Sequence, residues 1–554
     1  MCWGALLYIV LFWRLGTPTF WDPDEAHYAQ TTRELIERGD WLAPYYDHQP
    51  FFDKPVFFHL LQSLPMRVLG PTEFAARLVP ALAAGAIILT TWWLGAVLAS
   101  ADVGFLAALL LTVSPAVFAL SRYAILDTVF TACLFGGVSL LTVAALRDRP
   151  RLQYPGYGLL ALAALTKGPL AIALSGLAFL LAIAFSADAR RRLLGLRWLL
   201  GLAIVAAVAA PWFAYMYWRF GAEFVDGYFL NENLLLFASP PYQNLPDLSF
   251  YFRIVAVGLL PWTFLLLGRL VDDLRAVWTR RALPDTFEVL LWSWTLAILG
   301  FFSFSRFKLD HYIFPAAPAL CLLAARAWTD VSANRTTMLK AVSKVGLVVM
   351  GPVLIVVGVV VAGWMQSWMA LPAAALLAPV ALIVAGAVLI ARTRKGALPR
   401  VPWAVIAAFG VTYVVLIVWI GPALEQRKVV PDIARWVAMH APRTTRVATY
   451  RLSRWNPALR FYVERHTDVL NTPDEVHDLF AGAEAAYCVM PQPDYEDLVA
   501  HGSRLEIVYS RAGLWVTSGR ALWRQGYRLT NFVVVTGASH PGEDRARSII
   551  SAHE

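Results

Sequence analysis

Apolar stretches of spanning or near-spanning length follow one another from the N-terminus to Gly421, separated by polar connections. They fall near 2–15, 77–99, 103–119, 123–146, 155–166, 168–187, 197–217, 250–268, 286–304, 311–327, 341–364, 369–391 and 402–421. The pattern predicts an α-helical polytopic membrane protein of about 13 transmembrane helices. The fifth and sixth stretches are short and are divided only by Thr166-Lys167-Gly168-Pro169. Past Gly421 the apolar runs shorten to strand length, at Arg446–Tyr450, Leu459–Val463, Ala485–Val489, Leu505–Tyr509 and Phe532–Val535. Helical patterns lie between them, at Pro431–His440 and Pro493–Ala500, so a small α/β domain is expected. The predicted organisation is a membrane domain over 1–421, with long loops at 16–76 and 218–249. A C-terminal domain follows over 422–554, with a polar tail after Gly537.

The connections carry charge on alternate sides. Arg147, Arg149 and Arg151, then Arg190, Arg191 and Arg192, then Arg269, Arg275 and Arg280 all fall in even-numbered gaps. So do Arg335 and Lys340, with Arg326 and Lys344 at the span ends beside them, and Arg392, Arg394, Lys395 and Arg400. The bias of basic residues towards cytoplasmic loops places these inside and the N-terminus with them. The odd-numbered gaps and residues 422–554 are then expected outside, and the unusual polar residues converge on that side. The seventh gap holds Asn231-Glu232-Asn233 and Pro240-Pro241-Tyr242.

Composition agrees. Of 554 residues 58% are hydrophobic and 15% charged, with a mean hydropathy of +0.57, which excludes an ordinary soluble domain. The net charge of +9 would suggest nucleic acid in a soluble protein, but the basic connections account for it without one. Four scattered cysteines have no metal spacing and build no disulfide framework. The N-terminal apolar run has no cationic region or cleavage site ahead of it, so no removable signal peptide is expected. No Walker loop, dinucleotide fingerprint or fixed-period repeat appears.

The centre of the chain is Trp21-Asp22-Pro23-Asp24-Glu25-Ala26-His27-Tyr28, directly after the first apolar stretch. Three carboxylates within four residues belong at the water interface or in a polar cavity. The local chemistry predicts a helix start, with Asp22 as a structural N-cap, Pro23 in the first turn and Glu25 at the capping-box position. Gly39 ends the helix, whose apolar face carries Ala26, Ala29, Leu35 and Ile36. Asp24 would point away from that face. By itself the octet reads equally as a capped helix lying on the membrane.

Four further motifs lie on the outer side. Asp53-Lys54, between aromatics and a proline, suits a phosphate held by a point charge, or a lysine reaching the interface. Asp127 sits just inside the fourth span and either holds a substrate hydroxyl or pairs with Arg122. Lys167 stands at a helix break and has a structural reading. Arg306 and Lys308, next to His311 and Tyr312, read as headgroup contacts or as cations of a site. Phe51, Phe52, Tyr45 and Tyr46 could bind sugar faces.

In their order, these motifs resemble the C-type glycosyltransferase superfamily, and within it the lipid A 4-amino-4-deoxy-L-arabinose transferases and the protein O-mannosyltransferases. The resemblance rests on Asp22 to Tyr28, Gly39-Asp40-Trp41, Asp53-Lys54-Pro55 and Glu73-Phe74-Ala75-Ala76-Arg77-Leu78. It continues through Arg122-Tyr123 with Asp127, Leu165 to Pro169, Pro261-Trp262, and Lys308-Leu309 leading to Tyr312 and Pro315. It implies a sugar donor linked to a polyprenyl phosphate of the undecaprenyl type, used outside a bacterial cytoplasmic (inner) membrane. The acceptor would be a lipid A-like glycolipid, another glycan or a protein. Asp24 is implied as the catalytic carboxylate, with Glu25, Asp53 and Asp127 as supporting acids. Lys54, Arg306, Lys308 and Tyr312 are implied near the lipid phosphate.

The chain departs from the aminoarabinose transferase pattern in two places. Asp53-Lys54-Pro55 stands where those enzymes have Glu-Lys-Pro. Glu232-Asn233-Leu234-Leu235-Leu236-Phe237 lacks the His and Arg of their seventh gap. A metal ligand and a phosphate contact of that pattern are therefore missing, and lipid A is weakened as the acceptor. The sequence names no cofactor for certain, and a divalent metal is left open. A glycosyl phosphate donor needs no nucleotide site, only a base for the acceptor hydroxyl and positive charge for the departing phosphate. The competing functions are a transporter or flippase of lipid-linked glycans, and a non-catalytic envelope scaffold. Transporters carry midplane polar groups and internal repeats, which this sequence lacks.

Overall fold

The computed structural model describes residues 2–239, 246–280, 284–333, 341–368, 371–396, 398–452, 456–482, 485–515 and 529–537. Pro240-Pro241-Tyr242 and the polar tail after Gly537 lie outside the described residues. The molecule forms two compact units. One is Met1–Thr17 with Thr32–Gly421, and the other is Pro18–Thr31 with Pro422–Glu554.

The first unit is helical throughout, apart from a small hairpin. Each of the thirteen apolar stretches falls on helix, but they are unequal. Among the described residues seven helices are long and apolar enough to cross a membrane, or nine if two bent pairs each count as one. The bent pairs are Ala101–Thr112 with Pro115–Ser121, turned by 62°, and Phe250–Gly258 with Thr263–Thr279, turned by 118°. Both bends fall where a proline, Pro115 or Pro261, interrupts the apolar run. Cys2–Leu11, Gln153–Lys167, Leu170–Phe185 and Ala317–Ser332 are shorter.

Local chemistry sets the breaks. The Thr72 hydroxyl accepts the Ala75 amide proton and starts Glu73–Leu98; the Ser100 hydroxyl does the same for Val103 and starts Ala101–Thr112. These two helices touch at Gly95 and Gly104, where an added Cβ on Gly95 would come within 2.6 Å of the Gly104 Cα. The break between Gln153–Lys167 and Leu170–Phe185 is Gly168, whose φ of +78° favours glycine. Arg77, from the Glu73 to Leu78 motif, is buried and donates to the Leu15 carbonyl at 3.0 Å, so its part is structural.

The second unit contains a five-stranded mixed sheet. The hairpin of the first unit being β1 (Tyr45–Tyr46) and β2 (Gln49–Pro50), its strands are β3 (Arg446–Tyr450), β4 (Thr467–Leu470), β5 (Ala486–Pro491), β6 (Leu505–Gly513) and β7 (Thr530–Gly537), ordered β4-β3-β5-β7-β6. The first three are parallel, and β7 and β6 are antiparallel to their neighbours. Helix Val430–His440 precedes β3, and helix Pro473–Ala481 opens on a capping box of Thr472 and Glu475. Ala448, Tyr450, Cys488, Met490, Val533 and Val535 form the core with Val476 and Leu479.

One expected strand is a helix. Leu459–Val463 lies in Pro457–Val463, with proline at the first helical position and Glu464 in a left-handed conformation at its end. Five apolar-rich residues fit either period, and the proline together with burial on several faces decides for helix. β4, carried by the polar-looking Thr467-Asp468, was not expected.

Candidate active site

The first outer loop is organised by one carboxylate. Asp47 and His48 form the two-residue turn between β1 and β2 with φ of +54° and +63°, the geometry of a type I′ hairpin. The Glu34 carboxylate accepts both of their amide protons, at 2.8 and 3.0 Å, so no turn amide is wasted. Just beyond β2, Phe51 is buried against His59, and Phe52 packs edge-on against Phe220 and Phe224. Both rings are anchors in a core rather than sugar platforms, which corrects the expectation for them. Tyr45 is likewise engaged, with the Arg38 guanidinium 4.2 Å over its ring.

This anchoring presents Asp53 and Lys54 to an open cleft of about 620 Å³, solvent included. Lys54 Nζ donates to the Asp53 carbonyl at 2.7 Å and lies 3.5 Å from Glu232 Oε2. Glu232 comes from Val225–Leu235, an 11-residue stretch wound as π-helix, a form that recurs at functional sites. Burial and the neighbouring Glu232 charge push the Asp53 carboxyl up to about 6, against the pull of Lys54. Lys167, Tyr312, Phe302 and Phe307 also line the cleft, so cations at one end meet an aromatic wall.

Beside the cleft lies a second, tighter cluster. Lys167 Nζ donates to Asp127 Oδ1 at 2.6 Å, and their side chains are only 7% and 6% exposed. His311 Nε2 is 3.6 Å from Asp127 Oδ2, and Lys167 Nζ sits 4.5 Å from the Tyr312 ring centroid. Asp127 therefore pairs with Lys167 and not with Arg122. Arg122 donates instead to the carbonyls of Val10, Trp13 and Arg14. Lys167 and Glu232 are the residues that sequence reasoning undervalued. Lys167 was legible as a cation at a Gly-Pro break, and its partner Asp127, 40 residues away, was not.

The remaining cations divide. Lys308 is buried and donates to the carbonyls of Ser305 and, at 3.5 Å, Pro246; burial holds its ammonium below the usual lysine range. It closes a turn and does not line the cleft. Arg306 is exposed and also stays outside it. The structure thus gathers Asp53, Lys54 and Tyr312, with Asp127 joined through Lys167, and leaves Arg306 and Lys308 out. Among the described residues no group of three or more His, Cys, Asp or Glu is placed to hold a metal ion.

The octet is described with the second unit. Asp24 and Glu25 open helix Asp24–Arg38, which Gly39 ends with a φ of +67°. Glu25 is buried and its carboxylate reaches back to the Trp21 amide at 3.0 Å, one residue before the Asp22 amide that a capping box would use. Ala26, Ala29 and Leu35 are buried and Asp24 is half-buried. Asp22 does not cap this helix. Its Oδ1 accepts the amide proton of Ala458 at 2.8 Å, in the first turn of Pro457–Val463. The reason is tertiary: a partner 436 residues away wins over the local amides. Burial pushes the Asp22 carboxyl up to about 7, opposed by that amide and by Lys428.

The fold and the residues together define a class. A family profile for dolichyl-phosphate-mannose-protein mannosyltransferase matches residues 53–215. The crystal structure of ArnT from Cupriavidus metallidurans in the apo state superposes with a TM-score of 0.73 at 20% identity, over 97% of this chain and 98% of that one. The same protein bound to undecaprenyl phosphate gives 0.72 at 21%, over 96% and 97%. The chain is a multi-pass membrane protein with the C-type glycosyltransferase fold. It resembles, in particular, the 4-amino-4-deoxy-L-arabinose transferases. The undecaprenyl phosphate-alpha-4-amino-4-deoxy-L-arabinose arabinosyl transferase of Pectobacterium carotovorum subsp. carotovorum (strain PC1) is 33% identical over 336 residues. That match spans 58% of this chain and 57% of the relative.

Proposed function

We propose that the protein is a glycosyltransferase that moves a sugar from a polyprenyl phosphate to an envelope acceptor on the outer face of a bacterial cytoplasmic membrane. The carrying observation is the cleft, in which the ammonium groups of Lys54 and Lys167 meet Phe237, Phe301, Phe302 and Phe307. Positive charge beside apolar surface suits a ligand that is a phosphate at one end and a polyprenyl chain at the other. The relatives' names add a donor class, undecaprenyl phosphate carrying an aminopentose.

The chemistry is a displacement at the anomeric carbon. The acceptor hydroxyl attacks, its proton passes to a carboxylate, the bond from the sugar to the phosphate oxygen breaks, and polyprenyl phosphate leaves. In this reading Lys54 stabilises the charge that grows on the departing phosphate, a role preorganised donors perform best in a site partly closed to water. Asp24 takes the acceptor proton; its assignment rests on the resemblance and on its half-buried place in the first turn of its helix. Lys167 and Asp127 hold each other, and Lys167 presents Tyr312 to the cleft. Orientation rests on the alternation of basic connections, which puts the cleft-forming loops and the second unit outside.

The test is direct. Purified protein in detergent is supplied with undecaprenyl-phosphate-linked 4-amino-4-deoxy-L-arabinose and lipid A, and released undecaprenyl phosphate is measured. Release that requires an acceptor supports the reading. No release with this donor, or transport of the intact lipid in vesicles without bond cleavage, overturns it.

A further inference from the structure

Four consecutive residues just ahead of Asp24 are tied, one after another, to the C-terminal part of their own unit. Thr19 donates through both its amide and its hydroxyl to Glu425 Oε1, and accepts from Lys428 Nζ at its carbonyl, 2.9 Å away. The Phe20 amide donates to the Tyr462 hydroxyl at 2.7 Å, and its ring meets Phe461 edge-on at 4.8 Å. The Trp21 ring lies 4.3 Å from the Lys428 ammonium. Asp22 accepts from Ala458. Asp22 is only 3% exposed, and its second oxygen, Oδ2, has no hydrogen-bond partner among the described residues. Burying a carboxylate in this way costs free energy that an exposed helix cap would not incur. The local amide ahead of the helix, that of Trp21, goes to Glu25 and not to Asp22.

We propose that Asp22 is a positioning residue for Asp24: through Asp22 the helix Pro457–Val463 fixes where the first-loop octet is held. The proposal rests on the reading of Asp24 as the catalytic carboxylate. Only Pro23 stands between the two residues, so the chain has no slack in which a displaced Asp22 could be absorbed. A misplacement of about 1 Å in a catalytic group costs about a hundred-fold in rate. The C-terminal unit is then more than an accessory domain, because it carries the register of the catalytic loop.

The experiment uses the full chain with the same donor and lipid A, and measures kcat, donor KM and the thermal unfolding of each variant. Asp22→Ala is expected to lower kcat about a hundred-fold with donor KM within about two-fold. Asp22→Asn keeps an oxygen for the Ala458 amide and is expected to recover most of that loss. Such a kcat-only loss with conservative rescue is not what a general weakening of the fold produces. Should Asp22→Ala not fold, Tyr462→Phe removes only the oxygen that receives the Phe20 amide proton, and is expected to lower kcat about three-fold. A wild-type kcat for Asp22→Ala, or for Tyr462→Phe in that case, overturns the proposal while an inactive Asp24→Asn leaves the reading of Asp24 standing. If Asp24→Asn is also fully active, it is the reading of Asp24 that fails, and the proposal falls with it.

Discussion

Two charged clusters of the first unit use the same residue types to opposite ends. In one, Arg269 directs Nε and Nη2 to the two oxygens of Glu288 at 2.7 and 2.6 Å and Nη1 to Asp330 at 2.7 Å. Arg326 adds Asp285 and Glu288, and the Trp292 indole donates to Asp273. Arg269 and Glu288 are 6% and 1% exposed. In the other, Lys54 stands 3.5 Å from Glu232, with side chains 19% and 28% exposed, above an open cleft. The first cluster is closed: each guanidinium nitrogen of Arg269 has its carboxylate and none is left for a ligand. The second is slack, and an ammonium with three donors still has capacity to offer a phosphate. Ion-pair count would rank the first as the more important site, whereas spare donor capacity and access point to the second.

The largest expected effect falls on the closed cluster, and it is on folding. Arg269→Ala leaves buried carboxylates without their cation, which costs about 3–5 kcal/mol. Folded protein recovered in detergent should fall sharply. Full yield with unchanged unfolding temperature would mean that the cluster is not structural.

Lys54→Ala should do the reverse, leaving folding intact and raising donor KM about ten-fold or more, since a charge-assisted contact to phosphate is worth about 1.5–3 kcal/mol. Lys395→Ala, at the basic end of helix Leu377–Arg394, should leave KM alone. Equal KM values for the two variants would remove Lys54 from the phosphate site. Lys54→Arg is not a faithful substitute, because a planar guanidinium places its charge differently.

A smaller effect sharpens the same contrast. The Asp53 carboxyl is pushed up to about 6 by burial and by Glu232. Above that pH its negative charge opposes an anionic ligand at Lys54; below it the carboxyl is neutral and the opposition is gone. A donor phosphodiester keeps one charge throughout. Donor KM should therefore fall a few-fold as pH drops through about 6, and Glu232→Gln should move that step to lower pH. A KM that rises on acidification would place Asp53 elsewhere in the mechanism.

Much of the first unit could be read from hydrophobic runs, because membrane helices satisfy their backbone internally and so advertise themselves by length and polarity. The bends could not, since Pro115 and Pro261 announce an interruption but not an angle of 62° or 118°. In the second unit β3 was legible to the residue, whereas Leu459–Val463 was not, because a five-residue apolar run fits both periods. That Glu25 turns back to an amide just ahead of its helix was legible, because that partner is close in sequence, although it is Trp21 and not Asp22. The partners of Asp22 and Lys167 were not, because they are distant in sequence and only the folded chain brings them together. Lys308 and Arg306 looked alike in sequence. One is spent on carbonyls and the other lies outside the cleft, which neighbouring residue identities do not reveal.

The most direct measurement is single-turnover release of undecaprenyl phosphate by Asp24→Asn beside the unaltered protein. An amide keeps the shape of the carboxylate but cannot take a proton from the acceptor, and loss of a general base costs about a hundred- to ten-thousand-fold. The rate should fall within that range while membrane insertion, unfolding temperature and undecaprenyl phosphate binding are retained. Near-normal release by Asp24→Asn would contradict the assignment and move the search for the base to Asp53 or Asp127.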